Sequence, residues 1–296
     1  MWAIGKRILL FIAVNVLILL TVTITFNVIT SLFGIQFGAE GSILFFYVLL
    51  GFGGAFISLA LSRVIAKWSM GVRVIDPHTT SPVERKLLET VHDLARKARL
   101  PAMPEVGIYD SPEVNAFATG PTKARALVAV STGLLERMDR EAVEGVLGHE
   151  IAHIANGDMV TMTLIQGVIN TLVLIVARLV SSLVANQVDE RARPGVQLLV
   201  FYALQIVLSI LGSIVVCYFS RAREYRADAG GARLAGRDRM LSGLKSLRHV
   251  YGHVDEEHQA LATLKISGHP ARTLTALFAT HPPLEERIRR LESAAL

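Results

Sequence analysis

This chain has one cysteine, Cys217, and it sits inside an apolar run. A single thiol excludes a disulfide within the chain, and it excludes a thiolate-rich metal site. Any metal centre here must draw on imidazoles and carboxylates. Charge is scarce too. Asp, Glu, Lys and Arg make up 19% of the 296 residues, against 52% hydrophobic, where an ordinary soluble domain carries about 25% charge. With a mean hydropathy of +0.46, that balance points to membrane segments. The formal net charge is +5. No basic stripe interleaved with aromatics is present, so a nucleic-acid partner is set aside. Membrane proteins gather Lys and Arg on their cytoplasmic side, and that accounts for the basic balance.

The apolar residues collect in four runs: Ile8 to Ile29, Ile43 to Leu61, Val160 to about Val184, and Val196 to Phe219. Each approaches or exceeds the ~20 residues that cross a bilayer as a helix. The first two carry no charge. The third contains Arg178, costly in hydrocarbon unless it snorkels or faces protein or water. The third and fourth runs read as spans, with a hairpin packed partly against the protein as the alternative. Lys6 and Arg7 precede the first run as in a signal peptide. The run is long for that and lacks a clear small-residue cleavage site, so it reads as a retained anchor.

Charge sets the orientation. Lys6 and Arg7 lie before the first span, and Arg63, Lys67 and Arg73 follow the second. Arg221 and Arg223 follow the fourth, while the link from Thr30 to Ser42 has only Glu40. The positive-inside rule then places both termini and the polar segments in the cytoplasm. The expected organisation is two N-terminal spans over 1–61, a first half of a polar domain over 62–158, a helical hairpin over 159–219, and the second half over 220–296.

Within the polar part, Pro82–Ala98 has helical spacing of apolar residues, with Ser81 as N-cap. Glu105–Tyr109, Ala116–Thr119 and Ala126–Ser131 are short β-prone stretches bounded by turn residues. Ser131 or Thr132 begins the next helical region. Asp139–Asn156 reads as helix, stopped by Gly157 in a left-handed position. The fold class is therefore mainly α with a small β-sheet (α+β), in an integral membrane protein with about four transmembrane helices.

The stretch His149-Glu150-Ile151-Ala152-His153 reads H-E-x-x-H within that helix. Positions i and i+4 share a helical face, so both imidazoles can reach one metal ion and Glu150 can reach a water on it. Alone, the motif is equally compatible with two ordinary half-buried histidines. The second polar segment opens Ser220-Arg221-Ala222-Arg223-Glu224-Tyr225-Arg226-Ala227-Asp228. Glu224 and Asp228 are again i and i+4. Glu224 can supply a third ligand, and Asp228 can accept the N–H of a ligating histidine. A His₂Glu set leaves one position open for water, as hydrolysis requires. The plain alternative for Glu224 is a surface acid paired with Arg221 or Arg223. Arg223 and Arg226 read as outer-face charges or partners of local acids. His78, His92, His249, His253, His258 and His269 have no comparable spacing to carboxylates.

H-E-x-x-H, then a hydrophobic hairpin, then S-R-x-x-E-x-x-A-D, resembles the HtpX family of membrane zinc metalloproteases, relatives of the CaaX prenyl proteases. The resemblance covers essentially the whole chain, including Thr280-His281-Pro282-Pro283. It implies a gluzincin-type zinc metalloprotease domain with one Zn²⁺ per chain. His149, His153 and Glu224 would be the ligands, Glu150 the catalytic base, and Asp228 a partner of a ligand. Ser111 to Ala118 matches the family's substrate-binding strand region, so Asn115, Ala116 and Phe117 are expected to meet extended substrate through an edge strand. The plain reading of Asn115 is a turn residue. His281 matches a histidine that could stabilise the oxyanion; the alternative is a helix-start motif.

The resemblance further implies a bacterial cytoplasmic (inner) membrane enzyme with a cytoplasmic active site. Its partners would be the lipid bilayer and unfolded or damaged membrane proteins, in quality control. A processing protease for a specific, lipidated substrate and a non-catalytic scaffold are the alternatives. Four spans are few for a large helical chamber, and an intact Glu150 argues against the scaffold.

Overall fold

In the computed structural model, which describes residues 2–34, 39–262 and 277–294, the described residues are mostly helical. Two long apolar helices come first, α1 (Trp2–Leu32) and α2 (Ala39–Met70). A polar stretch follows with β1 (Arg73–Val74), α3 (Pro82–Lys97), β2 (Glu105–Tyr109), β3 (Ala116–Thr119), β4 (Leu127–Ser131), α4 (Thr132–Arg137) and α5 (Arg140–Asn156). Then come α6 (Asp158–Ala185), α7 (Arg193–Ala235), α8 (Arg237–Ala262) and α9 (Leu284–Ser293).

Four of these helices are long and apolar enough to cross a membrane: Ile12–Leu32, Gly41–Met70, Asp158–Ala185 and Arg193–Ala235. Contacts divide the chain into two units, residues 1–60 with 161–216, and residues 61–160 with 217–296. In the first unit Leu20, Ile24, Leu198, Leu199 and Ile206 are exposed, as side chains facing lipid are. Gly51 permits a close approach of α2 to α6, because a Cβ there would stand 2.7 Å from Thr171 N.

α7 continues without a break from the fourth apolar run into the Ser220–Asp228 segment. At ~1.5 Å per residue its 43 residues reach about 65 Å, roughly twice the ~30 Å of a hydrocarbon core. A helix of that length cannot lie wholly in lipid.

The second unit is built on a four-stranded sheet in the order β1-β2-β4-β3. β2 and β4 are parallel, and β1 and β3 flank them antiparallel. Among the described residues β3 is therefore an edge strand. Val106, Val128 and Val130 pack toward Val91 and Leu94 of α3 and Leu147, Ile151 and Ile154 of α5. Val72, Tyr109, Leu127 and Ala129 form a second cluster, with Phe117 packed against it. Ser81 caps α3 by accepting from Glu84 N, Asp139 caps α5 by accepting from Ala142 N, and Gly157 ends α5 at φ 71°. Ser81 and Gly157 lie where turn chemistry put them, whereas Asp139, read as the first helical residue, is the cap that precedes it. β1 is the strand the sequence did not announce: two exposed residues defined only by pairing with Gly107 and Ile108.

Candidate metal centre and active site

α5 carries His149 and His153 one turn apart, and their rings meet edge to face with centroids 4.6 Å apart. α7 brings Glu224 against both. The approach depends on Gly231, where a Cβ would lie 2.8 Å from His149 N and 2.9 Å from Met240 Sδ. With no side chain there, α7 sits against the α5 backbone beside the first histidine.

The result is a buried trio. His149, His153 and Glu224 each offer an atom within 4.8 Å of the others. The two Nε2 atoms are 3.1 Å apart. His153 Nε2 is 3.2 Å from Glu224 Oε1, and His149 Nε2 is 3.5 Å from Glu224 Oε2. Two ligands about 2.0–2.1 Å from a tetrahedral ion stand roughly 3.3 Å from each other; the Nε2–Nε2 and His153 Nε2–Oε1 separations have that size, while His149 meets the carboxylate through its other oxygen.

The protons tell the same story. His149 Nδ1 lies 2.9 Å from Asp228 Oδ1, and His153 Nδ1 lies 2.6 Å from Asp158 Oδ2. Each ring's Nδ1–H is thereby committed to a carboxylate, which leaves the Nε2 lone pairs facing each other. Glu224 is 1% exposed, and its Oε1 makes no hydrogen bond of acceptable geometry among the described residues. Two lone pairs and an unsatisfied buried carboxylate oxygen converge on one point, and a cation satisfies all three. Without one, protons must. Burial opposes charge on His149, yet the carboxylates of Asp228 and Glu224 outweigh it and push its pKa up to about 9. His153 is likewise raised, with burial opposing and Asp158 and Glu224 prevailing.

A cavity of about 340 Å³ opens beside the trio, lined by Glu150, His149, Glu224, Asn115, Ala116 and His281, with Val146, Leu244 and Leu247 among its apolar walls. Glu150 is half-buried there. His281 comes to the site as well, its Nδ1 2.9 Å from Glu224 Oε2. Its side chain remains 61% exposed. Arg221 places that segment by donating from Nη1 to Leu277 O and Ala279 O.

On the other wall, Ser131 fixes the start of β3. Its Oγ accepts from Asn115 N at 3.0 Å and donates to Glu113 O at 2.6 Å, while its own N–H donates to Asn115 O. Asn115 and Ala116 face the cavity. The Phe117 ring packs on Tyr109, with centroids 5.7 Å apart. That side chain belongs to the second cluster, so Phe117 can meet substrate only through its backbone.

Two residues of this site were not singled out from the sequence. Asp158 holds His153, and Arg226 approaches the same carboxylate at 3.6 Å. Arg287, on α9, donates to both oxygens of Asp228. A signal for Arg287 was present: it falls on the stripe made by Leu284, Ile288 and Leu291, where an unpaired charge would not be tolerated. Arg223 Nε is 3.8 Å from Glu224 Oε1. His269 and the side chains of His253 and His258 lie outside the described residues.

The pattern of Peptidase family M48 matches residues 82–295. The protein named Protease HtpX homolog from Bacillus licheniformis is 53% identical over 98% of this chain and 99% of its own length. The namesake from Bacillus subtilis is 52% identical with the same coverage, and Protease HtpX from a Shewanella species is 48% identical over 97% of this chain. Among solved structures, the crystal structure of Ste24p from S. mikatae superposes with a TM-score of 0.63 at 17% identity, over 98% of this chain and 66% of that one. At that identity the likeness is one of fold. The chain belongs to peptidase family M48 and is a membrane metalloprotease.

Proposed function

We propose that the metal is zinc, held by His149, His153 and Glu224, and that the enzyme is an endopeptidase acting on unfolded or damaged membrane proteins in quality control. The observation that carries this reading is the convergence of three metal-ready donor atoms beside a cavity that also holds Glu150 and the β3 edge. A His₂Glu set is a zinc donor set with a position left for water. Zinc held by His149, His153 and Glu224 would supply Lewis acidity there, making a water acidic enough to give up a proton near neutral pH.

The chain's own groups do the rest. Extended substrate pairs with the free edge of β3, starting at Asn115 and Ala116, through backbone hydrogen bonds that do not read sequence. That favours unfolded chain over folded. The Glu150 carboxylate accepts the proton of the attacking water and hands it to the leaving amine. Asp228 and Asp158 keep the two imidazoles in the tautomer that turns Nε2 inward. His281 has Nδ1 tied to Glu224. Its second nitrogen is then the one left to approach the oxyanion. The apolar walls suit a large apolar side chain next to the cleaved bond.

We place residues 62–158 and 220–296 as the protease domain, facing the cytoplasm of a bacterium from its inner membrane, with both termini on the same side. The positive-inside distribution of Lys6, Arg7, Arg63, Lys67, Arg221 and Arg223 supports that orientation. The test is cleavage of an unfolded protein by the detergent-solubilised enzyme before chelation, after chelation and after zinc is returned. Loss and recovery are expected. Undiminished cleavage by thoroughly chelated enzyme would remove the reading.

A further inference from the structure

Arg287 comes from the C-terminal helix, far along the chain from both halves of the metal site, yet it is 6% exposed and touches three of the site's residues. Its Nε donates to Asp228 Oδ2 at 2.8 Å and its Nη2 to Asp228 Oδ1 at 2.6 Å. Nη1 stands 3.5 Å from Glu224 Oε2, and Nη2 stands 3.4 Å from His149 Nδ1. We infer that Arg287 is a positioning residue that couples α9 to the metal centre by fixing the Asp228 carboxylate and, through it, the His149 ring.

The planar fork of a guanidinium matches both carboxylate oxygens at once and so fixes the carboxylate plane. Asp228 Oδ1 is then aimed at His149 Nδ1, 2.9 Å away. Arg287 cannot accept a hydrogen bond, so the Nδ1–H of His149 has Asp228 as its acceptor, and Nε2 is left with its lone pair toward His153 and Glu224. Nη1 meanwhile faces Glu224 Oε2, the oxygen that also meets His281. Nη1 thereby also bears on how the Glu224 carboxylate is held. One side chain thus biases ligands on two different helices.

α9 is held to do this. Ile288 and Leu291 are buried with Ala232, Met240 and Leu244. Arg290 lies over the Tyr225 ring at 3.9 Å, and Lys245 pairs with Glu292 at 2.9 Å. A lysine at 287 would keep the charge but present a single point donor, so charge and geometry can be separated by substitution.

The inference rests on the reading of His149, His153 and Glu224 as ligands, and the experiment separates the two. Co²⁺ is titrated into the metal-free full chain in detergent, followed by its d–d absorption and by competition with a chelator. A parent protein that binds no Co²⁺ overturns the ligand reading itself. With a parent that binds, Arg287→Lys is expected to weaken Co²⁺ by about 10–100-fold and to alter the absorption, while the thermal midpoint of the metal-free protein stays near the parent's. Arg287→Gln is expected to lose more affinity with Asp228 intact than in the Asp228→Asn background, because its action runs through that carboxylate. Parent-like affinity and spectrum in Arg287→Lys would overturn the inference. So would an equal loss from Arg287→Gln whether residue 228 is Asp or Asn.

Discussion

His153 Nδ1 and Asp158 Oδ2 are 2.6 Å apart, both buried, across the turn that ends one helix and begins the next. Gly157 in the left-handed conformation makes that turn, so the second ligand's orientation depends on how α5 stops. Replacing Asp158 with Asn leaves a hydrogen-bonding group of the same size but weakens the acceptor and permits the wrong tautomer. The expected result is a fall in metal affinity of about 10–100-fold, measured by chelator competition, with near-parent helicity by circular dichroism. Unchanged affinity would mean that Asp158 serves only the fold.

Metal affinity should climb with pH. In the metal-free site His149 keeps a proton up to about pH 9, and a ligand must be neutral to bind. Below that value each proton displaced makes affinity rise about tenfold per pH unit. The sign is fixed by the raised pKa: the protonated site's contribution to metal-free stability is full below the ordinary histidine value. It is lost as pH rises through about 9. Calorimetric titration at several pH values checks this, and a flat profile from about pH 6 to about pH 8 would contradict it.

Gly231→Ala should loosen the site without altering any ligand side chain. The added Cβ would meet His149 N and Met240 Sδ at less than van der Waals distance, and α7 must retreat from α5. Overpacking of this kind costs roughly 1–3 kcal/mol. A lowered thermal midpoint together with weaker metal binding is the expected pair. A lowered midpoint with parent-like metal binding would show that the close approach serves packing alone.

Much of this was legible in the sequence because the rules involved are local. Periods of about four residues put His149 with His153 and Glu224 with Asp228 on shared helical faces. Turn chemistry placed Ser81 and Gly157, and β-prone stretches matched the three longer strands. What stayed hidden depends on tertiary encounter. β1 has too few residues for a pattern and exists because Arg73 pairs with Ile108. Arg287 reaches His149 across 138 positions, a meeting no local rule encodes. Ser131 looked like a helix start, and it is one. The same hydroxyl also pins the Glu113–Asn115 loop, and that second use appears only once the sheet has formed.

The most direct measurement is a comparison of the parent with Glu150→Gln in one preparation, reading bound metal per chain and cleavage of an unfolded protein. Glu150 lines the cavity but is not one of the trio. The account predicts parent-like metal content with cleavage reduced by at least about 100-fold, the low end of what general-base catalysis contributes. Retained cleavage in Glu150→Gln with metal still bound would contradict it.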